Sequence, residues 1–312
     1  MTSSSQGAAA HLAIVGPTAS GKSAVAMALA RLLGDVELVA VDSMQVYRGM
    51  DVGTAKPTAS ERAEVPHHAI DLVDPWDEFT VRDHQAVVQA ALADIEARGR
   101  RALLVGGTGL YVQAIVDGLD IPGRWPAVRA ELEADADTVA LHGRLADLDP
   151  AAAERMEPTN RRRVVRALEV TLGSGRPFSS FGPGLGAYPP TRFDLVGLRV
   201  PPEVLAGRIA ERYREQLAAG FLDEVRVLAD PPVGRSLSRT AGQALGYREL
   251  LDHLAGAATL DAAVDLAIRR TRAFARRQRA WFRRDPRISW IDTGDDPLSA
   301  VPVLVDRWSR KS

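Results

Sequence analysis

The sequence predicts an α/β protein, a parallel sheet flanked by helices, with an inserted helical subdomain. Three patterns carry that reading. Short apolar runs alternate with helix-period segments, glycine turns follow the apolar runs, and the alternation lapses between residues 120 and 188. The first run, HLAIVG from His11, reads as a short buried strand, and the apolar-periodic stretch from Lys22 to about Leu33 reads as the helix after it. A second strand, ELVAVDS, carries Asp42 at its end. TVRDHQAVVQAALADIEARG is a helix whose Thr80 and Asp83 have capping-box spacing. RALLVGGTG is a third strand running into a glycine turn. From Asp120 to Tyr188 the chain is charged and helical, punctuated by IPGRWP, MEPTN and GPGLGAYPP. FDLVGLRV restores strand character, long helices run to about Arg284, and RISWIDT is a last strand. The expected division is a core domain with C-terminal helices, 1–119 and 189–312, and an insertion, 120–188. Ligands of such sheets sit beyond the carboxyl ends of the strands. Asp42, Ser43 and Gly106 to Thr108 should therefore gather near the first loop.

Composition narrows the class. With 312 residues, 46% of them hydrophobic and 25% charged, the chain reads as a soluble globular protein larger than one small module. No apolar run approaches the roughly 18–20 residues that span a bilayer. The opening MTSSSQGAAAH lacks the basic-then-apolar order of a secretory signal and is expected to be a short disordered tail. A cytoplasmic monomer is the resulting expectation. Zero cysteines exclude a disulfide framework, a thiolate nucleophile and a cysteine-ligated zinc site. A net charge of −1 means that a polyanionic partner must be met by local basic clusters. Lysine occurs only at positions 22, 56 and 311 in an arginine-rich chain. Lys22 and Lys56 therefore mark places where a compact ammonium is wanted. His67, His68 and His84 lack metal-ligand spacing and are read as turn or surface residues.

The stretch GPTASGKS, Gly16 to Ser23, matches the phosphate-loop pattern G-x-x-x-x-G-K-[ST] in full, and it lies between a strand and a helix. Turn glycines let backbone N–H groups point inward, and the helix N-terminus adds partial positive charge. Lys22 would neutralise terminal phosphate oxygens, and the Ser23 hydroxyl would ligate Mg²⁺. The fold class becomes P-loop NTPase-like. Asp42, after LVAV, would organise Mg²⁺, act as a general base beside the phosphates, or simply end a strand in a turn.

Two basic clusters point to a polyanion. Arg269, Arg272, Arg276, Arg279 and Arg283 recur at steps of three and four, so they line one stripe of a helix with no acidic residue interleaved. Arg161, Arg162, Arg163 and Arg166 open a helix in the insertion, where positive charge opposes the helix dipole. A solvated or salt-bridged surface is the competing reading of both. Together they suit a folded RNA.

Taken in order over nearly the whole chain, GPTASGKS, DSMQVYRGMDVGTAKP, VGGTGLY, RRRVVRALEV, ALGYREL and ARRQRAWFRR resemble the successive signatures of the tRNA dimethylallyltransferases, also called tRNA isopentenyltransferases. The resemblance implies transfer of a dimethylallyl group from dimethylallyl diphosphate to N6 of the adenosine just 3′ of the anticodon, in tRNAs reading codons that begin with U. It also implies roles. Gly16, Thr18, Ala19, Ser20, Gly21, Lys22 and Ser23 would bind diphosphate, with Ser23 helping to hold Mg²⁺. Asp42 would be the general base, and Arg212, or Arg208 in the same segment, would assist the diphosphate. Asp42, Ser43, Met44, Gln45, Thr108, Arg129, Arg162, Arg163, Arg166, Gln243, Gly246, Tyr247, Arg248, Arg276, Arg277, Gln278, Trp281 and Arg283 would contact the tRNA anticodon stem-loop. Arg276 stands where the family usually has lysine, and the cysteine-ligated finger of some eukaryotic members is missing, which points to the bacterial form. The competing functions are a small-molecule kinase, which leaves the arginines without a role, and an RNA-stimulated NTPase, which makes Asp42 a Mg²⁺ carboxylate.

Overall fold

The computed structural model describes residues 11–309, so the expected N-terminal tail MTSSSQGAAAH lies outside the described residues except for His11, which is the buried first residue of a strand. In chain order the elements are β1 (His11–Val15), α1 (Lys22–Leu33), β2 (Val36–Val41), α2 (Ala59–Glu64), β3 (His67–His68), α3 (Val81–Ala97), β4 (Arg101–Gly106) and α4 (Gly109–Val116). Four helices come next: α5 (Pro126–Ala134), α6 (Thr138–Leu148), α7 (Pro150–Glu154) and α8 (Arg161–Ser174). Then come β5 (Phe193–Arg199), α9 (Pro202–Ala218), α10 (Phe221–Ala229), α11 (Tyr247–Leu254), α12 (Leu260–Phe282), β6 (Ser289–Asp292) and α13 (Val301–Ser309). The chain divides into two compact units, one of residues up to Val116 together with those from Pro190 onward, the other Asp117–Pro189.

In the first unit the described strands form one parallel sheet in the order β3-β2-β4-β1-β5-β6. Every residue of β1 and β2 is buried, as a strand covered on both faces requires. On one face, α1 contributes Val25, Ala26, Leu29 and Ala30 at helical spacing and packs with Leu304 and Trp308 of α13. On the other, Val88, Leu92 and Ile95 of α3 and Val112 and Ile115 of α4 cover Val39, Val41 and Leu104. Each fully buried Leu or Val side chain contributes about 1.5–3 kcal/mol, so these two layers hold the strand ends where they are. Register then sets how far each strand reaches: Gly106 pairs with both Val15 and Val41, so β1, β2 and β4 end level with one another. A third cluster packs α9, α10, α11 and α12 around Tyr47, Tyr213, Phe221 and Tyr247.

The second unit has its own core, in which Leu132, Leu141, Leu145, Val164, Val165 and Leu168 pack together. Its interior includes the buried Glu169, whose carboxylate pairs with Arg129 at 3.2 Å and Arg166 at 2.9 Å and accepts from the Trp125 N–H. Asn160 caps α8 by accepting from the Arg163 N–H, and this offsets the basic residues at that helix start.

Thr80 and Asp83 form the expected capping box at α3. The sequence reading lacks α2, β3 and α13, and it misjudges the histidines. His84 is fully buried on α3, between Phe79 and Tyr111 with ring centroids at 6.3 and 5.2 Å, and burial pushes its pKa down to about 4. His67 and His68 form the edge strand β3, a two-residue element too short for a periodicity signal.

His68, Arg98 and Arg100 converge on Glu37, which is buried in β2 and lies within 2.7 Å of both His68 and Arg100. The Arg98 guanidinium above all, helped by His68, holds this carboxyl down to about 2 from an ordinary value near 4.5. A carboxyl held below its unfolded pKa contributes stability that is complete above about pH 4.5 and is lost as pH falls toward 2. Glu37→Gln is therefore expected to lower neutral-pH stability by on the order of 2 kcal/mol. It should also flatten the acid limb of a urea-denaturation series run across that window.

Candidate active site

The level ends of β1, β2 and β4 bring three loops together. Gly16 to Gly21 follow β1, Asp42 is the first residue past β2, and Gly107 and Thr108 follow β4. The phosphate loop turns through positive φ at Gly16, Ala19 and Gly21. Gly21, at φ 86°, caps α1 with no side chain bonded to the helix N-terminus, and a Cβ there would stand 2.3 Å from Pro297. Only glycine meets both conditions. The first-turn amides of α1 are thereby left without a side-chain cap, as an anion site needs. Ser20 is buried and Ser23 is exposed.

Lys22 folds back beneath the loop, its Nζ donating to Pro17 O at 2.7 Å. Burial, with Arg212 adding repulsion and Asp42 opposing it, lowers its pKa from 10.5 to about 7. Arg212, from α9, donates to the Thr18 hydroxyl at 3.0 Å. Burial likewise opposes its charge, and Asp42 is among the groups favouring it. Arg208 also reaches this region, but its guanidinium bonds backbone carbonyls, Ala19 O at 3.4 Å and Asp295 O at 2.7 Å. Between the two, Arg212 is the arginine beside Lys22. Asp42 accepts from the Met44 N–H at 2.8 Å through Oδ1, an Asx turn that orients the carboxylate. Lys22 and Arg212 thus both feel the Asp42 carboxylate, and two basic groups set close together favour an anionic ligand. Among the described residues no group of three or more His, Asp or Glu is arranged to hold a metal.

Residues expected at RNA divide sharply. Arg276 and Arg277 on α12, and Arg283 just past its end, are exposed, with Arg277 over the Phe274 ring at 5.7 Å. Arg279 and Arg283 line a small cleft with Pro17, Leu198 and Trp290. Arg162, Arg163, Gln243 and Arg248 are exposed, and Ser43, Met44, Gln45 and Thr108 are partly so. Other residues of the two clusters and of the expected contact set have partners within the protein. Arg272 leaves the stripe to donate to Ala206 O at 3.1 Å. Arg129 and Arg166 are bound to Glu169, and Arg161 donates to Glu133 O at 3.0 Å, so these guanidiniums support the second unit. Tyr247 and Gly246 are buried, Tyr247 against Phe221 with centroids 4.9 Å apart. Trp281 packs over Gly109, where a Cβ would lie 2.3 Å from the indole, while Arg284 covers the ring at 4.8 Å. Gln278 is buried, with its amide on the phosphate loop.

Several supporting residues escaped the sequence reading. Glu224 of α10 accepts three successive N–H groups, Asp51 and Val52 at 2.7 Å and Gly53 at 3.0 Å, together with the Tyr247 hydroxyl at 2.5 Å. Gln216 of α9 donates to Val52 O and Gly53 O. Lys56 does show a sequence signal, its rarity, and its buried ammonium donates to Tyr47 O, Asp51 and Asp71. Three donors meeting three acceptors is a geometry arginine would not reproduce. Glu224 and Gln216 carry no such signal, because the backbone groups they hold lie more than 150 residues away.

Comparison with known proteins agrees with this architecture. A family model described as IPP transferase matches residues 45–285, and one described as isopentenyl transferase matches residues 9–67. A tRNA dimethylallyltransferase of Kineococcus radiotolerans is 50% identical over 305 residues, covering 95% of both chains. This chain belongs to the tRNA dimethylallyltransferase family. Another family member, from Salinispora tropica, is 47% identical over 96% of this chain and 95% of its own. Among solved structures, the tRNA isopentenylpyrophosphate transferase of Bacillus halodurans superposes with a TM-score of 0.69 at 37% identity, covering 96% of this chain and 97% of that one. A eukaryotic dimethylallyltransferase acting on tRNA superposes at 0.76 with 26% identity, over 96% of this chain and 77% of that one. The fold class is thus the P-loop NTPase-like one shared by the family. Among the described residues, no helix is long and apolar enough to cross a membrane.

With its pKa near 7, the Lys22 amine is largely neutral at pH 8 in the free protein, whereas a bound anion would raise that pKa and hold the proton. Inorganic diphosphate binding at pH 8 is expected to take up close to one more proton in the parent than in Lys22→Met, and this excess should shrink toward pH 6. Calorimetry in buffers of different ionisation enthalpy would check it.

Proposed function

We propose that this chain transfers the dimethylallyl group of dimethylallyl diphosphate to N6 of the adenosine 3′-adjacent to the anticodon, in tRNAs reading codons that begin with U. The observation that carries the reading is the pairing of a cationic phosphate cradle, Lys22 and Arg212 under the Gly16 to Ser23 loop, with the Asp42 carboxylate at the next strand end. Family membership supplies the reaction class.

An adenine N6 lone pair is delocalised into the ring, so the amine is a weak nucleophile until its proton is removed. In the proposed step the C–O bond of the donor breaks, the C–N6 bond forms, the N6 proton passes to Asp42 and diphosphate leaves. Asp42 has its Oδ1 fixed by the Met44 N–H, which leaves Oδ2 to accept that proton. Lys22, Arg212 and the α1 amides stabilise the charge that grows on the leaving diphosphate. A divalent cation, Mg²⁺ by the residue pattern, fits the donor set: one exposed hydroxyl, Ser23, at the loop end, and no protein cage among the described residues. Mg²⁺ is commonly held in this way, through few protein ligands, substrate phosphate oxygens and water. When bound it would supply further charge neutralisation on the diphosphate.

The exposed Arg276, Arg277 and Arg283 of the first unit, and Arg162 and Arg163 of the second, are the proposed phosphate contacts to tRNA. The target base must leave its stack, at a cost of a few kcal/mol.

The test is incubation with Mg²⁺, unmodified tRNA and radiolabelled dimethylallyl diphosphate, beside Asp42→Asn and an ATP control. Label should enter the tRNA and fall by about 10²–10⁴-fold in the variant. Phosphate released from ATP, with no label transferred, would make the chain an NTPase instead.

A further inference from the structure

Gln278 sits on the buried side of α12, in line with Thr271, Ala275 and Phe282, and is only 6% exposed. A buried primary amide must find partners for both ends. Its Oε1 accepts from the Thr18 N–H of the phosphate loop at 2.8 Å, and its Nε2 donates to Gly107 O, just past β4, at 2.7 Å. The surroundings leave no slack. A Cβ on Gly107 would lie 2.7 Å from Nε2 of Gln278, 3.3 Å from Gly16 O and 3.6 Å from Lys22 Nζ. Thr18 is held a second time, through its hydroxyl, by Arg212. Gly107 directly precedes Thr108, a residue of the proposed acceptor side.

We propose that Gln278 is a positioning residue for the transfer reaction. It sets the phosphate loop and the loop after β4 at a fixed separation, so that donor diphosphate and acceptor base meet in register, and it does not contact RNA. The inference rests on the prenyl-transfer reading. Its chemical basis is the match of groups. Thr18 offers a donor and Gly107 an acceptor, so the bridge needs one acceptor and one donor at a fixed spacing, which an amide supplies. A carboxylate of the same shape offers two acceptors and turns one of them against the Gly107 carbonyl, and a thioether of similar length offers no donor. The side chain that carries the amide stands on the helix that exposes Arg276 and Arg277, so an RNA-contact role and a loop-positioning role predict different losses.

The experiment uses the full chain with Gln278→Glu and Gln278→Met beside the parent. It reads steady-state kinetics for dimethylallyl diphosphate per active site, counted by a single-turnover burst, together with tRNA affinity by filter binding and inorganic diphosphate affinity by calorimetry. Both variants are expected to lose at least tenfold in kcat/KM for the donor and to bind inorganic diphosphate several-fold more weakly. Their tRNA dissociation constants should stay within twofold of the parent. Loss of tRNA affinity with donor parameters unchanged would overturn the proposal in favour of an RNA contact. A smaller active fraction with parental kinetics per site and parental diphosphate affinity would overturn it in favour of a purely structural role. If a variant does not fold, the isosteric one of the pair and the calorimetric arm still decide. Absence of transfer by the parent enzyme would instead remove the prenyl-transfer reading, whereas diphosphate affinity in the variants still reports on the bridge.

Discussion

Everything at the candidate site depends on a local excess of positive charge held away from water. Lys22 and Arg212 lie close enough to repel one another, and the one carboxylate acting on both is Asp42. Desolvating two cations is costly, and although Glu215 and Asp42 favour the charge on Arg212, only Asp42 favours that on Lys22, whose pKa falls to about 7. The missing negative charge is what a diphosphate brings. This makes the site more complementary to a group accumulating charge as it leaves than to a neutral ligand.

Such a charge arrangement has value only if the loops carrying it do not drift, and much of the surrounding sequence serves that end through buried polar contacts. Glu224, Gln216 and Tyr247 secure the backbone around Val52, and Lys56 ties the same loop to Asp71. Among the described residues, three of the four non-glycine residues at positive φ, Ala55, Ala69 and Asp71, lie in these segments. Strain of that kind persists where surrounding contacts over-determine the backbone. In the ALGYREL segment Gly246 and Tyr247 are buried and Arg248 is the exposed residue, with the exposed Gln243 just before it.

Arginines show the limit of reading charge from spacing. The α12 stripe and the α8 cluster were legible as clusters, yet spacing could not tell which guanidiniums are free. Arg272 bonds a carbonyl of α9, and Arg129 and Arg166 serve the buried Glu169, whereas Arg276 and Arg162 face solvent. Arg272 and Arg129 have partners 66 and 40 residues away, whereas Arg166 pairs with Glu169 three residues on, and what the spacing does not state there is that this carboxylate is buried. Likewise His84 carries no local mark of its burial, because the rings beside it come from the approach to α3 and from α4.

By itself the sequence determined the strand, loop and helix around Lys22, the placing of Asp42 at a strand end, and the motif series that marks the family. These are local: periodicity, turn glycines and short spacings act over a few residues, and the chain states them directly. Tertiary structure alone decided that β1, β2 and β4 end level, that Arg212 rather than Arg208 stands beside Lys22, and that Gln278 faces inward onto Thr18 and Gly107. Each of these arises from the register of a parallel sheet and the packing of helices far along the chain. A single sequence encodes such contacts only through the fold as a whole.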